Sequence, residues 1–90
     1  MATNFRIFLY RNSDSLHLTL IGEFHVTSVQ ELINTLRANC NGASRVFIHT
    51  NCLEAVNPFA CNVMSSQFDA IKSEFNRVEF TGQYSDKMAL

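Results

Sequence analysis

The spacing of apolar and polar residues predicts strands and helices in alternation. Strict alternation, typical of half-buried strands, occurs in residues 5–10, 16–21, 45–49 and 77–81. Apolar residues at intervals of three and four, typical of amphipathic helices, occur in residues 29–40 and 61–75. The tail, residues 83–90, is predicted to be either irregular or a short helix that begins at Ser85.

The resulting order, β-β-α-β-α-β, predicts a small α/β two-layer sandwich. Turn-forming residues separate the first two strands, so these should form an antiparallel hairpin. A strand, a helix and a strand in succession imply parallel pairing through a right-handed crossover. We therefore expect one domain over residues 1–90, with a mixed four-stranded sheet in sequential order and the helices mainly on one face.

The alternation also assigns the two faces of the sheet. The side facing the helices is predicted to hold Phe5, Ile7, Leu9, Leu16, Leu18, Leu20, Val46, Ile48, Val78 and Phe80. The opposite side is predicted to be half polar and to hold Arg6, Phe8, Tyr10, His17, Thr19, Ile21, Arg45, Phe47, His49, Arg77, Glu79 and Thr81. A sheet covered on both faces would show continuous apolar runs, so we expect this second face to be open.

The dipeptide Asn57-Pro58 predicts where the second helix begins. An Asn side chain accepts a free backbone N–H of the first turn, and proline fits the first helical position, where its missing N–H costs nothing. Thr27 and Ser28 are the cap candidates for the first helix, since Gln30 and Glu31 follow at the spacing of a capping box.

Composition and charge narrow the class of protein. With 47% hydrophobic residues and a net charge of -1, the chain is too apolar for a disordered protein and has no basic field for nucleic acid. No apolar run approaches the length of a membrane span, and no secretory signal is visible. The odd cysteine count argues against a disulfide framework. We expect Cys40, Cys52 and Cys61 to be mostly buried thiols in a reducing cytoplasm.

Two segments carry a resemblance to a known family: LTLIGEFHVTS at residues 18–28 and VFIHTNCLEAVNP at residues 46–58. Their spacing and the element order are similar to those of the STAS domain, the fold of anti-sigma-factor antagonists. The resemblance covers about residues 5–82. In that family a pattern like L-x-G-x-L-D precedes the first helix, and D-S-x-G opens the second.

The signature residues of the family are mostly replaced in this chain. His25 and His49 stand where the family has aspartates at strand ends, and Asn57, Pro58 and Ala60 stand for the Asp, Ser and Gly of D-S-x-G. A partner kinase phosphorylates that serine in the family. Because proline has no hydroxyl, the phosphorylation switch is not carried over.

The resemblance implies a bacterial, non-catalytic module that binds a protein partner and needs no cofactor. The expected partner is a regulator, a kinase or another component of a sigma-factor system, and the expected compartment is the cytoplasm. The docking surface implied by the family consists of Val56, Asn57, Pro58, Phe59, Asn62 and Ser66.

Other functions stay open on the residues alone. If the strand ends converge at the second helix, then His25, His49 and Cys52 could bind a metal, an anion or a small ligand. Cysteine catalysis is not expected, because no base and orienting group accompany Cys52. The open sheet face could instead contact another subunit or another copy of the chain. Its aromatic and basic residues also suit single-stranded RNA, which the slightly acidic charge disfavours.

Overall fold

The computed structural model of the protein describes residues 4–39, 42–71 and 77–88. The strands in this part of the chain are β1 (Arg6–Asn12), β2 (Ser15–Phe24), β3 (Arg45–His49), β4 (Leu53–Val56) and β5 (Val78–Thr81). The helices are α1 (Val26–Asn39), α2 (Pro58–Ile71) and α3 (Ser85–Met88). Helix α3 begins at the predicted Ser85. The apolar positions predicted at Cys40 and Phe75 lie outside the described residues.

The strands form a mixed sheet in the order β1-β2-β3-β5. Strands β1 and β2 are the antiparallel hairpin, with Tyr10 opposite His17, and β2, β3 and β5 run parallel. Each parallel neighbour follows a helix in the sequence, as a strand–helix–strand unit requires. The predicted α/β class and the sequential order of the four predicted strands are therefore confirmed.

Strand β4 is a fifth strand, so the predicted count of four was too low. It pairs in parallel with β2 at Gly22–Phe24, beyond the part of β2 that pairs with β3. The alternation predicted a second strand over residues 16–21, but β2 continues past Gly22 to Phe24 with a register shift. Gly22 has φ of 94°, and a Cβ there would meet the carbonyl oxygen of Asn4. Glycine is thus required where the strand bends, and it does not end the strand.

One hydrophobic core lies between the sheet and the helices. The sheet contributes the buried residues Leu16, Leu18, Leu20, Val46 and Ile48, and the helices contribute Val29, Leu32, Leu36, Ala60 and Met64. The predicted helix-facing side is therefore confirmed for the central strands. Leu9 was assigned to the same side but is 46% exposed. It lies on the edge strand β1, whereas the main helix–sheet contacts are those of α1 with β2 and of α3 with β5.

The first helix begins earlier than the sequence predicted. Helix α1 starts at Val26, and neither Thr27 nor Ser28 is its N-cap. Ser28 lies one turn in, where its Oγ accepts the backbone N–H of His25 at 3.1 Å and donates to the carbonyl of Glu23 at 3.3 Å. This is half of a capping box, with a hydroxyl in the place of the usual carboxylate or amide.

Candidate functional site

The start of α2 is held firmly against the end of β2. The backbone N–H of Asn57 donates to the carbonyl of Phe24 at 3.0 Å. The Oδ1 of Asn57 accepts the N–H of Phe59 at 2.8 Å and that of Ala60 at 3.3 Å. Asn57 is therefore the N-cap and Pro58 the first helical residue, as predicted. The two N–H groups that most often bind an anion at a helix N-terminus already have a partner.

A shallow groove of about 320 Å³ lies at this helix start, lined by Val56, Pro58, Cys61, Asn62 and Lys87. Val56, Pro58 and Asn62 belong to the six docking residues expected from the family resemblance. Phe59 and Ser66 are exposed on the same helix but do not line the groove, and Asn57 caps the helix. The side chain of Phe59 is 64% exposed.

Two groove residues were not found from the sequence. Cys61 was counted as part of the apolar stripe of α2, and the structure leaves it only partly buried at the groove wall. Burial raises the pKa of the Cys61 thiol, and the nearby positive charge of Lys87 opposes this. Lys87 reaches the groove because the next residue of α3, Met88, is buried in the core. No local sequence pattern predicts such a contact between distant parts of the chain.

The proposed cluster of His25, His49 and Cys52 is wrong. His49 pairs with Thr19, so about six residues of strand, on the order of 20 Å, separate it from His25 along β2. The expectation assumed that β2 and β3 end together, whereas β2 continues to Phe24. In the described residues, no group of three or more His, Cys, Asp or Glu side chains is arranged to hold a metal ion. Cys52 is exposed, which also contradicts the expected burial of that thiol.

His25 and His49 each have a different neighbour from the one expected. His25 Nε2 lies 3.0 Å from Glu23 Oε1, a half-exposed contact on the same strand end. His49 Nε2 lies 3.0 Å from Nδ1 of His17, and His49 Nδ1 lies 2.7 Å from the Thr81 hydroxyl. The two imidazoles are almost parallel, at 4°, with centroids 5.2 Å apart. These distances fit rings that meet edge to edge through an N–H···N hydrogen bond.

This chain of hydrogen bonds crosses three strands on the open face of the sheet. In a neutral His49 one ring nitrogen donates while the other accepts, so the contacts with His17 and Thr81 have opposite directions. A proton on both imidazoles would leave two donors facing each other. Burial lowers the pKa of His49, and the charge of His17 adds to this effect. The hydrogen-bond network therefore favours the uncharged form of His49.

The open face of the sheet also carries aromatic side chains, two of them on the edge strand β1. Phe8 and Tyr10 on β1 are 64% and 63% exposed, and the ring of Phe47 packs 5.0 Å from that of His17. Phe8 and Tyr10 project on the side opposite the buried core residues of β2, as the alternation predicts. This is a second exposed apolar surface, separate from the groove at α2.

The mixed sheet and the order of its elements form a STAS-like fold, which two solved structures share. In particular, the structure is similar to that of the anti-sigma factor antagonist SpoIIAA in its unphosphorylated form, with a TM-score of 0.63, 8% identity, and coverage of 89% of this chain and 73% of that one. It is also similar to an uncharacterised protein of the DUF3478 family with a SpoIIAA-like fold, from Shewanella loihica PV-4. That match has a TM-score of 0.62, 19% identity, and coverage of 92% and 70%.

These likenesses concern the fold. No family model matches the sequence, and no curated protein matches it. Among the helices that the structure describes, none combines the length and apolar character needed to cross a membrane.

Proposed function

We propose that this protein is a non-catalytic protein-binding module that docks a partner through the start of α2. The surface consists of Val56, Asn57, Pro58, Phe59, Asn62 and Ser66. The observation that carries the proposal is the exposed ring of Phe59 beside a groove walled by three of these residues. Large aromatic side chains are common among the residues that dominate the binding energy of an interface.

The partner class follows from the likeness to SpoIIAA, which is an anti-sigma factor antagonist. We infer that the partner is an anti-sigma factor, a related kinase or another regulator, and that the module acts in a bacterial cytoplasm. Pro58 offers no hydroxyl at the position of the family's serine, so binding does not respond to phosphorylation there. The partner therefore binds constitutively or under another control.

The helix face supports a continuous contact surface. Phe59, Asn62 and Ser66 follow one another at three and four residues, the spacing that puts side chains on one face of a helix. Ala60 and Met64, on the opposite side of the same turns, are fully buried in the core. The core thus fixes the orientation of the exposed face, which reduces the ordering cost of binding.

To test the docking surface, the ¹⁵N-labelled protein is titrated with purified anti-sigma factors and related serine kinases from the same genome. We expect amide shifts to cluster at residues 56–62 and 66. Phe59→Ser should weaken binding about tenfold or more, as for a central interface aromatic. Phe8→Ser is the matched control, since Phe8 is exposed to the same 64%. If no regulator binds, or if only Phe8→Ser weakens binding, the proposed site is wrong.

A second candidate function is favoured by the exposed Phe8 and Tyr10. It is contact with another subunit through the open sheet face, because exposed apolar patches of this kind commonly mark interfaces. The same pair of variants distinguishes the two candidates. Loss of binding in Phe8→Ser alone would support the open face, and loss in Phe59→Ser alone would support α2.

A further inference from the structure

The groove at α2 is lined by uncharged residues and by one lysine, Lys87. The whole run from Ala55 to Phe68 contains no Asp, Glu, Lys or Arg. Among the residues that the structure describes, the one charged residue lining the groove is Lys87, contributed by α3. Within the described residues, no carboxylate forms an ion pair with it. The neighbouring elements carry two acidic residues, Glu54 on β4 and Asp86 on α3. Both are exposed, and neither lines the groove.

The start of α2 adds to the positive potential. Its first turn contains no acidic residue, and its cap is the neutral Asn57. The partial positive charge at this helix N-terminus is therefore not offset by a carboxylate in the first turn of α2. Because Asn57 already accepts the N–H groups of Phe59 and Ala60, an incoming anion would be paired by the ammonium of Lys87 and would not displace the cap.

We propose that the groove selects an acidic partner segment, in which a carboxylate pairs with Lys87 while an apolar side chain packs on Phe59 and Val56. This inference rests on the proposed function and specifies the chemistry of its partner. Charge complementarity across an interface chiefly decides which partner is accepted. Because the one charge among the described residues lining the groove is positive, a carboxylate in the groove is favoured over an ammonium group. The position of Lys87 also explains why α3 belongs to the site.

The charge at this end of α2 is positive and is supplied by Lys87. In the family that the chain resembles, a phosphate added to the serine brings negative charge to the same helix start. Here Pro58 excludes that modification, and Lys87 provides a fixed charge of the opposite sign. The preference for an acidic partner is therefore permanent.

The test uses two capped hexapeptides as probes, Asp-Leu-Leu-Phe-Leu-Asp and Lys-Leu-Leu-Phe-Leu-Lys, titrated into the full ¹⁵N-labelled chain. We expect the acidic peptide to shift the amides of Phe59, Asn62 and Lys87 and to bind about fivefold tighter or more than the basic one at low salt. The difference should shrink in 0.5 M salt, as screening requires (a Debye length of about 4 Å).

Variants separate this inference from the proposed function. Lys87→Gln should reduce the difference between the peptides to less than about twofold, while Phe59→Ser should weaken the binding of both. Arg45→Gln, which removes the same charge from an exposed site on the sheet, is the control and should change neither. Equal binding of the two peptides at α2 would overturn the acidic preference and leave the docking site standing. Binding of neither peptide, or shifts confined to the open face, would overturn both.

Discussion

At the scale of single residues, His49 shows how position within a strand decides chemistry. Its place at the end of β3 suggested a loop histidine available for a ligand. The structure instead fixes both of its ring nitrogens, one by His17 and the other by Thr81. An imidazole with both nitrogens engaged is a structural residue, and its hydrogen bonds depend on its protonation state.

The lowered pKa of His49 predicts a loss of stability on acidification. The folded protein binds a proton at His49 less readily than the unfolded chain, whose histidine has the usual value of 6.5. The contribution of the uncharged His49 to the free energy of unfolding should therefore be fully present above about pH 6.5. It should decrease as the pH falls below that value and be lost below the pKa of His49 in the folded protein. Urea titrations between pH 7.5 and 4.5 would measure this.

Two variants make the acidification test specific. His49→Gln should show a smaller decrease in the free energy of unfolding from pH 7.5 to 4.5 than the parent. Thr81→Val keeps the imidazole and removes only its hydroxyl partner, so it should retain the pH dependence. If His49→Gln follows the same pH profile as the parent protein, His49 is not the group responsible.

At the scale of the element, α2 combines a well-capped N-terminus with a partly exposed face. Asn57 provides the cap, Pro58 restricts the first residue, and buried Ala60 and Met64 attach the helix to the core. An Asp-Ser pair at these positions would cap the helix equally well and would also accept a phosphate. The junction in this chain provides the cap and the restricted first residue, and Pro58 offers no hydroxyl.

Removing the cap should destabilise the protein by a predictable amount. Asn57→Ala leaves the N–H groups of Phe59 and Ala60 without their acceptor and should lower the free energy of unfolding by about 1 kcal/mol. Asn57→Asp retains an acceptor and adds a charge that is favourable at a helix N-terminus, so it should be neutral or slightly stabilising. Gln67→Ala, at an exposed site of α2, is the control. Equal stability of Asn57→Ala and Asn57→Asp would contradict the capping role.

At the scale of the whole molecule, a single core includes the short α3. Met88 is 1% exposed and belongs to the same cluster as Leu16, Ile48 and Met64. Thr50 also holds this segment, because its hydroxyl accepts the backbone N–H of Tyr84 at 3.1 Å. The segment is too short to be a stable helix in isolation, so its structure depends on these tertiary contacts.

Met88 lies on a helix of only four residues, but because it is buried its truncation should strongly lower the free energy of unfolding. Met88→Ala should lower the free energy of unfolding by about 2–4 kcal/mol, as for other large-to-small changes in a core. Lys87→Ala, one position earlier and exposed, should change it by less than about 0.5 kcal/mol. Thermal or urea unfolding monitored by circular dichroism would compare them. A Met88→Ala protein as stable as the parent would mean that α3 does not contribute to the core.

Much of the fold followed from the sequence because its elements have clear periodicities. The hairpin, the parallel strands after each helix and the start of α2 were all predicted, since alternation, helical spacing and Asn-Pro are local signals. Strand β4 was missed because LEAV is short and pairs with a part of β2 that was taken for a loop. The start of α1 was misplaced because Ser28 acts from within the first turn.

The residues of the candidate site were also predicted only in part. Its residues on α2 could be named from the family resemblance, since they are contiguous and register with the motif. Lys87 could not, because it is far from α2 in sequence and only the packing of Met88 brings it there. The histidines were paired wrongly because the alternation does not reveal that β2 extends beyond β3.

The sequence by itself determined the α/β class, the order of the main strands and the absence of a hydroxyl at Pro58. Each of these depends on local periodicity or on the identity of one residue. The tertiary structure decided the fifth strand, the His17–His49–Thr81 network and the positive charge in the groove. These depend on strand register and on contacts between distant segments, which are set by how the core packs.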